Sequence, residues 1–384
     1  MTAHAPIGRR QAAALLLGGL AAGCATPRGA LVAGWSAPLP PAGERLRLAP
    51  VWVAEDRIIR VVAGLRPYRP GGFVVRAERR GAKLLVHNYG HGGGGVTLSW
   101  GTSEQAVDLG FSSAVRDYAV IGCGAVGLAT ARLLQRRGGE VTIYARELPP
   151  DTTSNIAGAK WWPTSVYDAR TATPEFLARF DDAARRSYRQ FQTLLGGGYG
   201  VSWRRNYIVS DGPHEMGPLT RRLAPMAPES RDLSPGEHPF GRMHVRQYDT
   251  MMIEPPIYLQ AIMEDFLTAG GRIVVGELAS AEAVQALPQA AVFNCTGLGA
   301  KTLFGDEDLT PVRGQLVVLL PQPEVTYNLL SDDLYMFPRA DGVLLGGTFE
   351  HGVWDTTPDP ATTARLIARH RAVFAPLRPG AAAR

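Results

Sequence analysis

The glycine pattern Gly122-x-Gly124-x-x-Gly127 is the clearest chemical motif in the chain. It follows an apolar run at 118–121 and precedes a helical pattern, so it predicts a strand, a tight turn and a helix. Such glycines let the backbone approach a pyrophosphate, which the N–H groups at the start of the helix can bind. Glu147 lies 20 residues past Gly127, where a carboxylate can accept hydrogen bonds from ribose hydroxyls. The motif predicts a dinucleotide site and leaves FAD and NAD both open.

A second glycine-rich stretch lies upstream, in the loop 90–95, and opens a predicted helix over 96–109. Four consecutive glycines let a backbone lie against a planar ring with its N–H groups turned towards that ring. The helix would aim the positive end of its dipole at the same place and stabilise negative charge there. His87 and His91 are four residues apart, but a glycine-rich loop favours a structural role over a metal site, and we expect no metal.

The hydrophobic pattern alternates between strands and helices, as in an α/β protein. The predicted strands are 57–63, 73–76, 84–87, 118–121, 141–144, 291–294, 312–320, 335–337 and 343–348. The predicted helices are 96–109, 125–137, 174–196, 256–269 and 360–374.

Composition indicates a soluble globular protein, with 45% hydrophobic and 20% charged residues. The net charge of +5 comes from arginines scattered along the chain, without the clustered basic face of a nucleic-acid-binding protein. We therefore expect no nucleic-acid partner. Cys123 and Cys295 are isolated in turn and strand positions, so we interpret them as small core residues.

The first 24 residues have the layout of a bacterial export signal, which we expect over 1–24. Arg9-Arg10 precede the apolar stretch 12–22, which is too short to cross a bilayer. The paired arginines fit twin-arginine export, and Cys24 fits the lipidated residue of a lipoprotein. The expected location is therefore the periplasm or a membrane anchor, with a cytoplasmic protein bearing an unprocessed tail as the alternative. Residues 25–56, rich in Pro and Ala, are expected to form a tether.

Six segments resemble those of the D-amino-acid oxidase family. They are 87–101, 145–163, Asn294-Cys-Thr-Gly297, Val312-Arg-Gly-Gln315, Tyr335-Met-Phe-Pro338 and Leu345-Gly-Gly-Thr-Phe349. The resemblance implies FAD as cofactor, with hydroxyls of 152–154 bonding its phosphates. It also implies the fold class: α/β, a Rossmann-like FAD-binding domain with a second, mixed β-sheet substrate domain. The expected cofactor-binding residues are Gly92, Gly93, Gly95, Val96, Thr97, Gly122, Gly124, Ala125, Val126, Gly127, Arg146, Glu147, Thr152, Thr153, Ser154, Gly158, Ala159, Thr296 and Gly297.

The same resemblance implies the substrate-binding residues. Arg66 would bind the substrate α-carboxylate through its forked guanidinium, with Arg69 as a competing candidate better suited to a structural role. Tyr335 would bond the same carboxylate, and the carbonyl of Gly93 would bind the substrate amine. This chain departs from the family in two places. Ser331 stands where a second tyrosine is expected, and Gly94 stands where an aromatic residue is usual.

The implied reaction is FAD-dependent oxidation of a D-amino acid by hydride transfer, giving a 2-oxo acid, ammonium and hydrogen peroxide, with oxygen as second substrate. The alternatives are a dehydrogenase of the same fold that reduces a quinone, and an FAD-binding protein without turnover. The glycine loop normally follows the dinucleotide fold in this family and here precedes it, which predicts a circular permutation.

The permutation predicts a particular division of the chain. Residues 57–109 would complete both sites, 118–164 and 256–300 would bind FAD, 165–255 and 310–350 would bind substrate, and 360–374 would form a C-terminal helix. The connection from Gly110 to Asp117 can span about 25 Å at most. A longer separation would require exchange of the N-terminal block between the subunits of a homodimer.

Overall fold

A computed structural model describes residues 45–378. The predicted signal peptide, Cys24 and the first part of the predicted tether lie outside these residues. The strands are β1 (Ile58–Tyr68), β2 (Val74–Arg80), β3 (Lys83–Tyr89), β4 (Asp117–Ile121), β5 (Glu140–Ala145), β6 (Val201–Ser210), β7 (Arg231–Leu233), β8 (His244–Ile253), β9 (Arg272–Val275), β10 (Ala291–Asn294), β11 (Thr310–Leu319), β12 (Tyr327–Ser331), β13 (Leu334–Arg339), β14 (Gly342–Gly346) and β15 (Glu350–His351). The helices are α1 (Gly95–Gly110), α2 (Ala125–Arg136), α3 (Thr153–Ile156), α4 (Pro174–Gln192), α5 (Pro218–Leu223), α6 (Pro255–Thr268), α7 (Ala281–Gln285), α8 (Gly299–Phe304) and α9 (Pro360–Phe374).

The smaller of two sheets contains the dinucleotide turn. Its order is β2-β3-β10-β4-β5-β9, and all neighbours are parallel except β2 and β3. Its central strands are almost continuously apolar because both faces are covered. The sequence did not predict the edge strand β9, which is short and leaves Val274 and Val275 exposed. The predicted Rossmann-like sheet is confirmed.

The larger sheet is mixed, with both parallel and antiparallel neighbours. Its order is β1-β11-β14-β13-β12-β6-β8-β7, with β15 paired to β11. β6 and β12 are parallel, whereas the other neighbours run antiparallel. The predicted second, mixed sheet is confirmed.

The N-terminal block contributes to both sheets. β1 pairs with β11 along its whole length in the larger sheet, and β3 lies beside β10 in the smaller one. α1, which follows the glycine loop, packs against α2. The segment that precedes the dinucleotide turn in sequence therefore joins the two sheets in space.

The predicted tether is wrong for residues 45–56. Leu46, Val51 and Val53 are buried in the core that the larger sheet forms with α9. The Leu46 N–H donates to the Glu237 carbonyl at 2.8 Å. An extended segment that buries isolated apolar side chains has no periodicity, so its composition resembles that of a linker.

Helix α4 packs on the cofactor side, although the sequence places it with the substrate domain. It packs against α1, where the Gly101 N–H donates to the Ser187 hydroxyl at 2.7 Å, and it buries Phe176 and Phe180. It ends at Gln192, four residues before the predicted end. No helix within 45–378 is long and apolar enough to cross a bilayer.

We expect Gly101→Ala to lower the free energy of unfolding by about 1–3 kcal/mol, because a Cβ at residue 101 would overlap the Ala183 carbonyl. Urea unfolding monitored by circular dichroism measures the difference. Gly212→Ala is the matched control, since a Cβ at residue 212 meets nothing within 4 Å. If the two variants were equally stable, α1 and α4 could move apart without a loss in the free energy of unfolding.

Candidate active site

One cleft of about 1350 Å³ contacts both sheets. This volume exceeds the 300–1,000 Å³ usual for a small-molecule site, as expected for a dinucleotide with a second ligand. Arg66 and Tyr335 line it, together with every predicted cofactor-binding residue except Gly127. Those residues are Gly92, Gly93, Gly95, Val96, Thr97, Gly122, Gly124, Ala125, Val126, Arg146, Glu147, Thr152, Thr153, Ser154, Gly158, Ala159, Thr296 and Gly297.

The glycine turn is held tightly between β4 and α2. Gly122 has φ +104° and donates its N–H to the Tyr144 carbonyl at 2.8 Å. A Cβ at residue 122 would lie 2.6 Å from the Cys295 carbonyl oxygen. Gly127 does not line the cleft, so the structure places it behind the turn. A Cβ there would overlap the Gly122 carbonyl, so Gly127 allows α2 to pack closely on the turn.

The start of α2 is open for an anion. No side chain caps this helix at Gly124, and the first-turn N–H groups of a helix attract negative charge. The Ser154 hydroxyl lies at the same place and accepts from the Ala125 N–H at 3.1 Å. Arg146 and Glu147 pair at 3.1 Å on the exposed side, where Arg146 also lies 3.4 Å from Glu277.

The glycine loop differs in part from expectation. Its N–H groups were expected to face the ligand, but Gly93 donates to the Ser165 carbonyl at 3.0 Å and Gly94 to the His91 carbonyl at 2.9 Å. α1 nevertheless begins without a side-chain cap, and its first turn lines the cleft. A Cβ at Gly94 would lie 2.6 Å from Val166, which occupies the space that the missing aromatic residue would require.

His87 and His91 make structural contacts. The His91 ring stacks on Phe73 and lies 3.0 Å from the Thr102 hydroxyl. Burial lowers the pKa of His91 to about 3. His87 lies 3.0 Å from the Asn294 amide nitrogen, and burial lowers its pKa as well.

Arg66 and Tyr335 lie over two neighbouring strands. The guanidinium of Arg66 lies over Gly314 on β11, where a Cβ would come within 2.5 Å of it. The ring of Tyr335 lies over Gly346 on β14, where a Cβ would overlap it. Because β11 and β14 are adjacent, the two side chains reach over this glycine platform from its opposite sides. The platform leaves room for a small ligand between a cation and a hydroxyl.

Arg66 has no negative partner within residues 45–378. Its guanidinium lies 3.4 Å from the Thr348 carbonyl and 5.3 Å from the centre of the Phe349 ring. Arg69, the competing candidate, is paired with Asp306 at 2.8 Å and Asp308 at 3.0 Å. Arg66 is therefore the arginine available for a carboxylate, and Arg69 is structural.

Ser331, which stands where the family has a second tyrosine, lies at the end of a strand. β12 ends at Ser331 and β13 begins at Leu334, so Asp332 and Asp333 form a tight turn between them. Ser331 is buried and pairs with Leu334. This short hairpin lines the cleft through Leu330, Asp332 and Leu334.

The sequence interpretation missed Lys160. This residue lines the cleft, and its Nζ donates to the Tyr248 hydroxyl at 2.7 Å. Burial lowers the pKa of Lys160 to about 7 and raises that of Tyr248. It is one of three lysines in a chain with 40 basic residues, and it follows Ala157-Gly-Ala159 in a cofactor segment. That placement is the pattern from which it could have been found.

The cleft fits an FAD molecule. Two helices open into it with uncapped N-termini, and the carbonyl oxygen Oδ1 of Asn88 on its wall is buried without a donor from residues 45–378. A ligand that carries phosphates and hydrogen-bond donors satisfies both kinds of group.

Comparison with known proteins agrees with this geometry. Residues 117–383 match the sequence profile of the family described as DAO, FAD dependent oxidoreductase. The D-amino-acid oxidase of Streptomyces coelicolor is 34% identical over 260 residues, which cover 65% of this chain and 75% of that protein. The D-amino-acid oxidase of Rubrobacter xylanophilus is 31% identical over 271 residues, or 67% of this chain and 77% of that protein.

The fold is shared with the crystal structure of glycine oxidase from Geobacillus kaustophilus, with a TM-score of 0.51 and 19% identity. That superposition covers 67% of this chain and 78% of the oxidase. The chain therefore belongs to the DAO family of FAD-dependent oxidoreductases, and its cofactor is FAD.

Proposed function

We propose that this protein oxidises D-amino acids. The observation that carries the proposal is the guanidinium of Arg66, which has no ion pair within residues 45–378 and lies over the same glycine platform as the Tyr335 ring in the FAD cleft. A guanidinium and a hydroxyl together suit a carboxylate, the group that all amino acids share. The relatives named D-amino-acid oxidase support the same substrate class.

The protein's part in the reaction is to position the substrate. Arg66 and Tyr335 hold the α-carboxylate, and the Gly93 carbonyl accepts a hydrogen bond from the amine, which fixes the face that the α-hydrogen presents. Bound FAD would supply the hydride acceptor for the α-carbon, and its reoxidation by oxygen would yield hydrogen peroxide. Water hydrolyses the resulting imine to the 2-oxo acid and ammonium. The net reaction consumes one oxygen and one water for each amino acid.

The test is anaerobic reduction of the purified holoenzyme by a panel of D- and L-amino acids. We expect the yellow flavin band to bleach with D-amino acids only. Admission of air should restore the colour and release one hydrogen peroxide per turnover. A holoenzyme that bleaches but regains colour only with a quinone would be a dehydrogenase. A yellow protein that no amino acid bleaches would overturn the proposal.

We further propose that the chain is a circular permutation of its relatives. Support comes from the contacts of α9 with the start of the N-terminal block. Arg371 at the end of α9 donates to the Val53 carbonyl at 3.3 Å and pairs with Glu55 at 2.8 Å. The guanidinium of Arg378 lies 5.9 Å from the Trp52 ring centre. Residues 371–378 thus lie where a family member would continue into β1, as permutation requires.

The connection between α1 and β4 supports the same proposal. The Tyr118 hydroxyl donates to the Ser112 carbonyl at 2.8 Å, and the rings of Phe111 and Tyr118 stack. The family profile begins at residue 117, directly after this connection. This compact link supports a connection between the N-terminal block and β4 within one chain.

A relinked chain tests the permutation. It would run from Arg116 to Arg378, continue through about 12 Gly and Ser residues, which span on the order of 18–20 Å, and end with 45–110. We expect it to bind FAD and keep its kcat/KM within about threefold, because contacts survive a change of connection at the surface. Residues 116–378 alone are the control and should not retain FAD, since they lack the glycine loop. A relinked chain without flavin would contradict the proposal.

Export and lipid attachment at Cys24 are proposals that rest on the sequence of 1–24 alone. They predict a mature protein that begins at Cys24 and partitions into detergent. Intact mass of the protein from a membrane fraction is the measurement, and a soluble protein that retains Met1 would refute both.

A further inference from the structure

Lys160 brings an uncompensated amine to the wall of the cleft. Its side chain is about nine-tenths buried, with 9% exposed, and no carboxylate within residues 45–378 forms an ion pair with it. Nζ contacts the Tyr248 hydroxyl and lies 5.4 and 5.7 Å from the centres of the Tyr248 and Trp162 rings. An ammonium has three donors, and one hydroxyl satisfies one of them. A buried cation in this state gains from an anion supplied by a ligand.

The segment that carries Lys160 crosses the face of the larger sheet. Ile156 packs on Gly64 of β1, a Cβ at Gly158 would lie 3.5 Å from the Tyr335 ring, and Lys160 bridges to Met252 of β8. Two residues span at most about 7 Å, so the Cα of Lys160 lies within that distance of Gly158. The amine contacts Tyr248 on β8, and β8 lies beyond β13, the strand of Tyr335, in the sheet order that begins with β1, the strand of Arg66. The amine therefore stands beyond Tyr335, on the side away from Arg66.

The wall between these positions is apolar. Tyr335 pairs with Leu330, Leu330 with Ile208, and Ile208 with Arg246, so the four share one row across the sheet. Leu330 and Ile208 line the cleft, whereas Arg246 at the end of the row is neutralised by Asp232 at 2.6 Å. Among the described residues that line this side of the cleft, Lys160 is a lysine without an ion pair.

We propose that Lys160 binds a carboxylate on the side chain of the substrate and makes acidic D-amino acids the preferred class. The inference rests on the proposed function, which places the α-carboxylate at Arg66 and Tyr335. The substrate side chain then extends over Leu330 and Ile208 towards the amine. Lys160 determines specificity and takes no part in the hydride transfer.

The test compares binding of succinate with binding of its monoamide, two ligands of the same shape that differ by one charge. Flavin absorbance of the holoenzyme reports both, without turnover. A charged hydrogen bond predicts that the wild type binds succinate about 10- to 100-fold more tightly than the monoamide. Lys160→Met should remove this preference and leave binding of the monoamide within about threefold. Lys160→Arg should retain part of the preference, and Lys301→Met, which removes a surface lysine paired with Glu307, should retain all of it.

Kinetics give a second readout. The kcat/KM ratio of D-glutamate to D-glutamine should fall in Lys160→Met through KM, with kcat little changed. Tyr248→Phe retains the amine and should keep most of the preference for succinate. This variant still tests the inference if Lys160→Met loses its flavin. Equal binding of the two ligands by the wild type, or an equal loss of both in Lys160→Met, would overturn the inference. If no D-amino acid reduces the flavin while succinate is still preferred, the proposed reaction fails and the side-chain site stands.

Discussion

Arg66→Met should lower kcat/KM for D-amino acids roughly 100-fold or more while FAD remains bound. Removal of one partner from a buried pair of hydrogen-bonded charges costs about 2–5 kcal/mol, and here the substrate carboxylate would lose its cation. Arg66 makes no ion pair within 45–378, so its removal leaves no protein charge unpaired and should not destabilise the fold. Stopped-flow reduction of the flavin over a range of substrate concentrations measures the effect.

Arg60→Met is the matched control, since Arg60 lies on the same strand and pairs with Asp341 at the surface. It should leave the reduction rate unchanged. Arg66→Lys separates charge from shape, because an ammonium cannot make the two parallel bonds of a guanidinium. The kcat/KM of Arg66→Lys should fall between those of the wild type and Arg66→Met. If Arg66→Met binds substrate as tightly as the wild type, the carboxylate is held elsewhere and Arg66 has another role.

The sequence predicted the elements that carry local patterns. The apolar run 118–121, the glycine turn and the helix after it are all determined by neighbours in the chain, so their positions agree with the structure to within a residue or two. β10 was found for the same reason, because both faces are buried and all four of its residues are apolar or at the strand end.

Features that depend on tertiary contacts could not be predicted from the sequence. Leu46, Val51 and Val53 look like linker residues because their burial depends on α9 and the larger sheet. The choice between Arg66 and Arg69 required Asp306 and Asp308, which lie more than 230 residues away in the chain. Helix α4 carries no pattern that indicates which sheet it serves, and its position beside α1 depends on tertiary contacts such as the close approach at Gly101.

The candidate site was likewise predictable where it depends on local motifs and unpredictable where it depends on tertiary contacts. Its residues could be named from motifs, but the glycine platform under Arg66 and Tyr335 depends on strand pairing between β11 and β14. The role proposed for Lys160 depends on its having no ion pair among residues 45–378, and its neighbours in sequence do not reveal this. Sequence therefore named most of the residues that line the cleft, and the pairing of strands determined how they are arranged.

Gly122→Ala should lower the affinity for FAD by roughly 100-fold or more. Gly122 has φ +104°, a conformation that costs a non-glycine residue about 1–3 kcal/mol, and its new Cβ would lie 2.6 Å from the Cys295 carbonyl. Both effects push the turn away from β10, and the N–H groups at the start of α2 move with it. Titration of the apoprotein with FAD, followed by flavin fluorescence, gives the dissociation constant.

Gly138→Ala separates the two causes. Gly138 has φ +90°, yet a Cβ there meets nothing within 4 Å, so this variant bears the conformational cost without the steric contact. It should bind FAD like the wild type and lose only about 1 kcal/mol of stability. A Gly122→Ala protein that binds FAD as tightly as Gly138→Ala would mean that the turn tolerates displacement. In that case the cofactor would be held mainly by the loop before α1 and the segment 152–154, and the glycine pattern would be a packing feature of β4 and α2.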